Sequence, residues 1–215
     1  MAKIFKLNDP KVSVRPVKDN HEPFVDVSKK YPNLFYDTTR RNVYKFAEPK
    51  CILRKEVADR LTIAQKALPK GIVLKIKEAY RPISIQKIIY NQHIDYLRKK
   101  YPKKSEKFYV DKAAEWVALP YDIPPHSTGG AIDLTLMTRE GKELNMGQKV
   151  NDSSSSSLTF AKNISTKAKK NRQILIKAMK RVGFVNYPYE WWHWSYGDRY
   201  WAFVTGANHA IYGSK

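Results

Sequence analysis

The sequence predicts an α+β fold: a small, mainly antiparallel sheet flanked by helices. Three observations carry this. The chain has 215 residues, 42% of them hydrophobic, with 5 Trp, 14 Tyr and 8 Phe, enough for a substantial core and incompatible with a disordered chain. Two segments, 72–77 and 131–136, alternate along the chain with the two-residue period of a strand. Four others, 54–68, 84–97, 105–118 and 172–182, read as helices, most of them with apolar residues at helical spacing. Length and composition suit one domain over residues 1–215, with an irregular N-terminal segment of about residues 1–30.

In chain order, residues 1–50 carry Pro10, Pro16, Pro23, Pro32 and Pro49 and support short strands at most. Cys51 is the one cysteine, so it has no internal disulfide partner, and just before a helix it reads as buried filler. Residues 54–68 form a helix with Val57, Leu61, Ala64 and Leu68 on one face and Gly71 just past its end. In the following strand Ile72, Leu74 and Ile76 alternate with Val73, Lys75 and Lys77, and Pro82 stops it. Ser84 is placed to N-cap the next helix, whose Ile85, Ile88, Ile89, Tyr96 and Leu97 are expected to pack inward, with His93 a structural neighbour. A shorter helix over 105–118 carries Phe108 and Trp116.

Residues 131–136 read as a strand with Ile132, Leu134 and Leu136 toward the core and Asp133 and Thr135 on the other face. Residues 148–157 are polar and end in five serines, the best linker or lid candidate. In the helix over 172–182, Ile174, Leu175, Ala178, Met179 and Val182 form the buried stripe and the Lys and Arg positions the solvated face, before Gly183 ends it. An aromatic strand then carries Glu190 and His193, followed by a Tyr- and Trp-rich tail over 196–212 in which His209 has no motif partner.

Lys and Arg total 40 against 20 Asp and Glu, a formal charge of +20. Basic clusters at Arg98–Lys104 and Lys162–Arg181 keep a polyanion-binding protein open as an alternative, yet neither sits in a nucleic-acid-binding motif, so no specific nucleic-acid partner is expected. No apolar run approaches the ~18 residues needed to span a bilayer, and the start lacks a signal-peptide apolar core. With a single cysteine, these features suit a reducing, cytoplasmic compartment. Composition is silent on oligomeric state.

The chemistry concentrates in His126-Ser-Thr-Gly-Gly-Ala-Ile-Asp133 and the later Glu190-Trp-Trp-His193. Two imidazoles and one carboxylate are a catalytic zinc ligand set, which leaves a position for water, and Glu190 is a carboxylate available as base. Singly, His126 is equally a loop histidine, Asp133 a turn or cap residue, and His193 a ring in an aromatic cluster. Seven extended residues span about 23 Å, so His126 and Asp133 share a metal only if the chain turns between them, and Gly129-Gly130 permits that turn. A third piece, Glu78-Ala-Tyr-Arg81-Pro82, puts a guanidinium at a strand end, where it can stabilise an oxyanion or simply form a surface salt bridge.

Together with Asn33-Leu-Phe-Tyr-Asp-Thr-Thr, Cys51-Ile-Leu-Arg54, Asn145-Met-Gly147 and Gly183-Phe-Val-Asn-Tyr-Pro-Tyr, these pieces resemble the VanX-type D-alanyl-D-alanine dipeptidases of the M15 zinc metallopeptidases, over roughly residues 30–205. The resemblance implies a Hedgehog/DD-peptidase-like sheet carrying one Zn2+ on His126, Asp133 and His193. It makes Glu190 the catalytic base, Arg81 the transition-state stabiliser, and a small D,D-dipeptide the substrate. Pro124 stands where the family tends to have a serine, and Gly147 is followed by Gln-Lys-Val-Asn-Asp152 rather than a Phe-Asp pair, which makes Asp152 the candidate for the substrate amine. The related alternatives are a D,D- or L,D-carboxypeptidase and a cell-wall endopeptidase of the same superfamily.

Overall fold

The computed structural model describes residues 4–39, 51–152 and 154–215. The expectations that touch Pro49 and Ser153 lie outside the described residues. The N-terminal segment is more ordered than its prolines predict. It holds helix α1 (Pro10–Ser13), strand β1 (Phe24–Asp26), helix α2 (Val27–Lys30) and strand β2 (Phe35–Tyr36). Asp9 and Asp26 cap the two short helices through their carboxylates. Strand β3 (Ile52–Arg54) pairs antiparallel with β1 and leads directly into helix α3 (Lys55–Lys66), which buries Val57, Ala58, Leu61 and Ala64.

The main sheet is assembled from β2, strand β4 (Ile72–Glu78), strand β5 (Ala131–Thr138), strand β7 (His193–Ser195) and the edge strand β6 (Val185–Asn186), in that order. Only the β2–β4 pair is parallel; the other three are antiparallel. Leu74, Ile76, Ile132, Leu134 and Leu136 are fully buried in one core with Val57 and Leu61 of α3, Leu175 and Met179, and Trp191, Trp192 and Trp194. Burying these side chains, at ~1.5–3 kcal/mol each for the large aliphatics, is the main driving force that sets the sheet's register.

Helix α4 (Ile83–Lys100) departs from its expected packing. Pro82 rather than Ser84 is its N-cap, with extended backbone at Pro82, so the helix starts two residues earlier. Gln86, Tyr90, Ile94 and Leu97 face inward, whereas Ile88 is 48% and Tyr96 52% exposed. The helix has two apolar faces, and helix α5 (Glu106–Ala113) covers the Tyr90–Ile94–Leu97 face in a satellite cluster with Tyr109 and Ala113. Ser105 caps α5 by accepting from Phe108 N at 3.2 Å, and the helix stops before Trp116.

Helix α6 (Thr166–Arg181) begins earlier than its stripe predicts because Ser165 accepts from Ala168 N. Its Arg172 is not solvated: at 2% exposure it is a core residue. The chain closes with helix α7 (Arg199–Thr205), capped by Asp198 and ended by Gly206 at φ 75. Among the described residues, no helix is long and apolar enough to cross a membrane.

Candidate metal centre and active site

Strand register builds the centre. Glu78 of β4 is paired with Asp133 of β5, and Asp133 with His193 of β7, so three functional side chains stand in a row across adjacent strands. Glu78, Asp133 and His193 are only 2–3% exposed. His126 reaches the same place from a 3₁₀ turn, Pro125–Thr128, that ends at Gly129 with φ 72. Only glycine takes this φ without strain, and a Cβ there would also strike the Phe24 ring; one at Gly130 would strike the Tyr196 carbonyl. The turn demanded by the His126–Asp133 spacing is thus present.

Buried Arg54 holds that turn from behind. Its guanidinium donates to the carbonyls of Thr128 (2.9 Å), Glu22 (2.7 Å) and Gly213 (3.1 Å), and it stacks 4.6 Å from the Phe24 ring centre. His126 Nδ1 donates to the Ala79 carbonyl at 2.9 Å, which leaves Nε2 toward Asp133 Oδ1 at 3.4 Å. His193 Nδ1 lies 3.0 Å from the same oxygen, and the two imidazole centres are 4.9 Å apart. One ligand atom from each of His126, Asp133 and His193 falls within 4.8 Å of the others. A buried carboxylate between two imidazole nitrogens, one oriented by a backbone carbonyl, fits zinc and its usual outer hydrogen bonding.

Glu190 does not lie in a strand as expected. It sits in the turn between β6 and β7, because Asn186 Nδ2 donates to the carbonyls of Glu190 (3.1 Å) and His193 (2.9 Å) and folds the segment back on itself. Its Oε2 is 3.9 Å from His193 Nδ1. Burial, then the Asp133 charge, raise its carboxyl well above the usual range despite the opposing charge of Arg81. Asp133 shows the reverse: burial pushes its pKa up, but His126 and His193 more than offset this and hold it far below the usual range.

Arg81 Nε donates to Glu78 Oε1 and Nη1 to Gln86 Oε1, both at 2.6 Å. Its backbone is tied to the His126 turn through Arg81 N to His126 O and Ser127 Oγ to Arg81 O. Burial opposes the ionised Glu78, and Arg81's charge overcomes it, so Glu78 is held below the ordinary carboxylate range. Glu78 was legible only as a member of the Arg81 motif, Asn186 only as part of the Gly183–Tyr189 segment with no role of its own, and Gln86 carried no sequence signal.

Behind Glu190, Arg172 donates to the carbonyls of Met146 (2.8 Å), Ser156 (2.7 Å) and Leu158 (2.6 Å). The serine segment it gathers accepts from Trp191 N through Ser157 O, and Thr159 N donates to Pro188 O. Residues 154–159 are therefore a strap against the Glu190 turn rather than a free loop.

His126, Asp133, His193, Glu190 and Arg81 all line one cavity of about 460 Å³, as do Glu78, Gln86, Pro124, His93 and Asn151. Asp152 does not. It is exposed and lines a separate depression with Asp37, Lys77 and Glu143, while its neighbour Asn151, at φ 65, lines the cavity.

A family model described as D-ala-D-ala dipeptidase, of the peptidase M15 group, matches residues 24–209. The chain belongs to this family. It is thereby a hydrolase of the zinc-metallopeptidase class. A D-alanyl-D-alanine dipeptidase of Synechocystis is 28% identical over an alignment covering 90% of each chain, and one of Escherichia coli is 29% identical, covering 69% of this chain and 68% of the relative. A solved structure, VanYB in complex with D-alanine-D-alanine, aligns with a TM-score of 0.46 at 18% identity, over 72% of this chain and 78% of its own. Pro124, which stands where the resemblance implies a serine, lies in the cavity wall two residues before His126.

Proposed function

We propose that this chain hydrolyses D,D-dipeptides of the D-alanyl-D-alanine type to free amino acids, with one zinc ion per chain held by His126, Asp133 and His193. The observation that carries it is the buried row of Asp133 and His193, completed by His126 and flanked by Glu190, in one cavity with Arg81. When bound there, zinc supplies a Lewis acid and an acidified water.

The side chains do the rest. Glu190, 3.9 Å from the His193 ligand atom, takes the proton of the attacking water. Burial makes its carboxylate a stronger base than a solvated one. It returns that proton to the amine nitrogen as the peptide C–N bond breaks. Arg81 enters the reaction pre-oriented, since Glu78 and Gln86 fix two edges of its planar fork. A fixed cation beside a carbonyl that becomes an oxyanion stabilises the transition state more than the ground state. Ser127 and His126 tether the Arg81 backbone to the ligand turn, so cation and metal keep a set separation.

Release of free amino acids from D,D-, L,D- and L,L-dipeptides and their N-acyl forms by zinc-loaded protein tests this reading. Turnover is expected for free D,D-dipeptides. Faster turnover of the N-acyl forms would replace it with a carboxypeptidase.

A further inference from the structure

The cavity is larger and more apolar at one end than two alanines require. Its about 460 Å³ lies within the roughly 300–1,000 Å³ of sites that enclose drug-sized ligands. Away from the metal its wall is Ile85, Ile88 and Ile89 of α4, faced by Trp116 and Val117 after α5. The spacing i, i+3, i+4 puts the three isoleucines on one helical face. That face is not needed by the protein core: the core face of α4 is Tyr90, Ile94 and Leu97, and α5 covers it. The isoleucine face turns into the cleft instead, with Ile88 48% exposed and Ile85 and Ile89 half-buried.

From this wall we infer a side-chain subsite for a bulky aliphatic residue. The preferred substrate is a D,D-dipeptide in which one residue carries a leucine-sized side chain that lies against Ile85, Ile88, Ile89, Trp116 and Val117. The inference rests on the hydrolytic reading above and adds the substrate class to it. Three aliphatic side chains at a cleft mouth gain by leaving water only when something apolar covers them. Alanine's single methyl group offers too little apolar surface to cover three isoleucines. One extra methylene in an apolar pocket is worth roughly 10–200-fold in discrimination, so a leucine side chain has a readable advantage.

Calorimetric Kd values for D-alanyl-D-alanine, D-leucyl-D-alanine and D-alanyl-D-leucine on zinc-loaded Glu190→Gln protein test the subsite without turnover. One of the leucine dipeptides is expected to bind about tenfold or more tighter than D-alanyl-D-alanine. Adding Ile88→Ser and Ile89→Ser should bring that ratio close to one, with thermal unfolding confirming a folded variant. The subsite is overturned if D-alanyl-D-alanine binds tighter than both, or if the ratio survives the double substitution. It also falls if N-acetyl-D-alanyl-D-alanine outcompetes both leucine dipeptides, which would make the wall a cleft for a longer chain. Turnover of the same dipeptides by wild type is read separately: no hydrolysis of any of them removes the hydrolytic reading, while the binding ratio still decides the subsite.

Discussion

At the end of the cleft with the candidate metal centre, Glu78, Asp133 and His193 stand on three hydrogen-bonded strands, each only 2–3% exposed. At the other end, Ile88 stands 48% exposed on a helix outside the sheet. The first end is over-determined. Register, the His126–Ala79 hydrogen bond, the Arg54 clamp on the turn and the Arg172 strap behind Glu190 all fix the same few atoms. The second end is held by a satellite cluster of Tyr90, Ile94, Leu97, Tyr109 and Ala113 that shares no residue with the main core. Groups that must be placed to within a fraction of an ångström are built on paired strands or on turns clamped to them, while groups that only present apolar surface ride on a separately supported helix. The chemistry should therefore be brittle and the substrate wall tolerant.

Substitutions at the two ends should separate accordingly. The largest effect is expected for Glu190→Gln, which keeps the shape of the turn but removes the base. It should lower kcat by roughly 10²–10⁴-fold with zinc content unchanged by metal analysis; loss of zinc together with activity would make Glu190 a ligand. Arg81→Lys keeps the charge but cannot keep both the Glu78 and the Gln86 contacts. Here kcat should fall on the order of 10²-fold with little change in KM, and a pure KM effect would make Arg81 a substrate-carboxylate binder.

Arg172→Met tests whether the strap belongs to the brittle end. It leaves the Met146, Ser156 and Leu158 carbonyls without their buried donor. A destabilisation of about 3 kcal/mol, or on the order of 10 °C in Tm, is expected, and a wild-type Tm would show that the strap stands without its arginine. By contrast, Ile88→Ser should change stability by less than about 1 kcal/mol, because the side chain is already half in water; a large loss of Tm would tie α4 to the main core after all. The smallest effect is expected for Asp152→Asn. Because Asp152 faces a different depression from Glu190, the preference for a free dipeptide over its N-acetyl form should be unchanged, and a shrunken preference would bring Asp152 back as the amine's partner.

Much of the candidate metal centre was legible in the chain. Ligand chemistry named His126, Asp133 and His193, and the seven-residue gap between the first two demanded a turn that Gly129 makes at φ 72. Strand alternation placed Asp133 opposite Ile132 and Leu134, and the structure keeps that assignment. These features are local: residue chemistry, a two-residue period and the φ that glycine alone adopts without strain. What periodicity left undecided depends on partners distant in sequence. The isoleucines of α4 have helical spacing whether a neighbour or a cavity faces them, and only the docking of α5 on Tyr90 and Leu97 assigned the faces. Arg172 reads as one more cation on a basic helix, and it is buried because three carbonyls between Met146 and Leu158 converge on its guanidinium. Glu190 entered a turn because Asn186 binds two carbonyls across it, and Asp152 missed the cleft by one residue of backbone. Local stereochemistry determined which groups could do the chemistry; long-range burial and hydrogen bonding decided which of them meet.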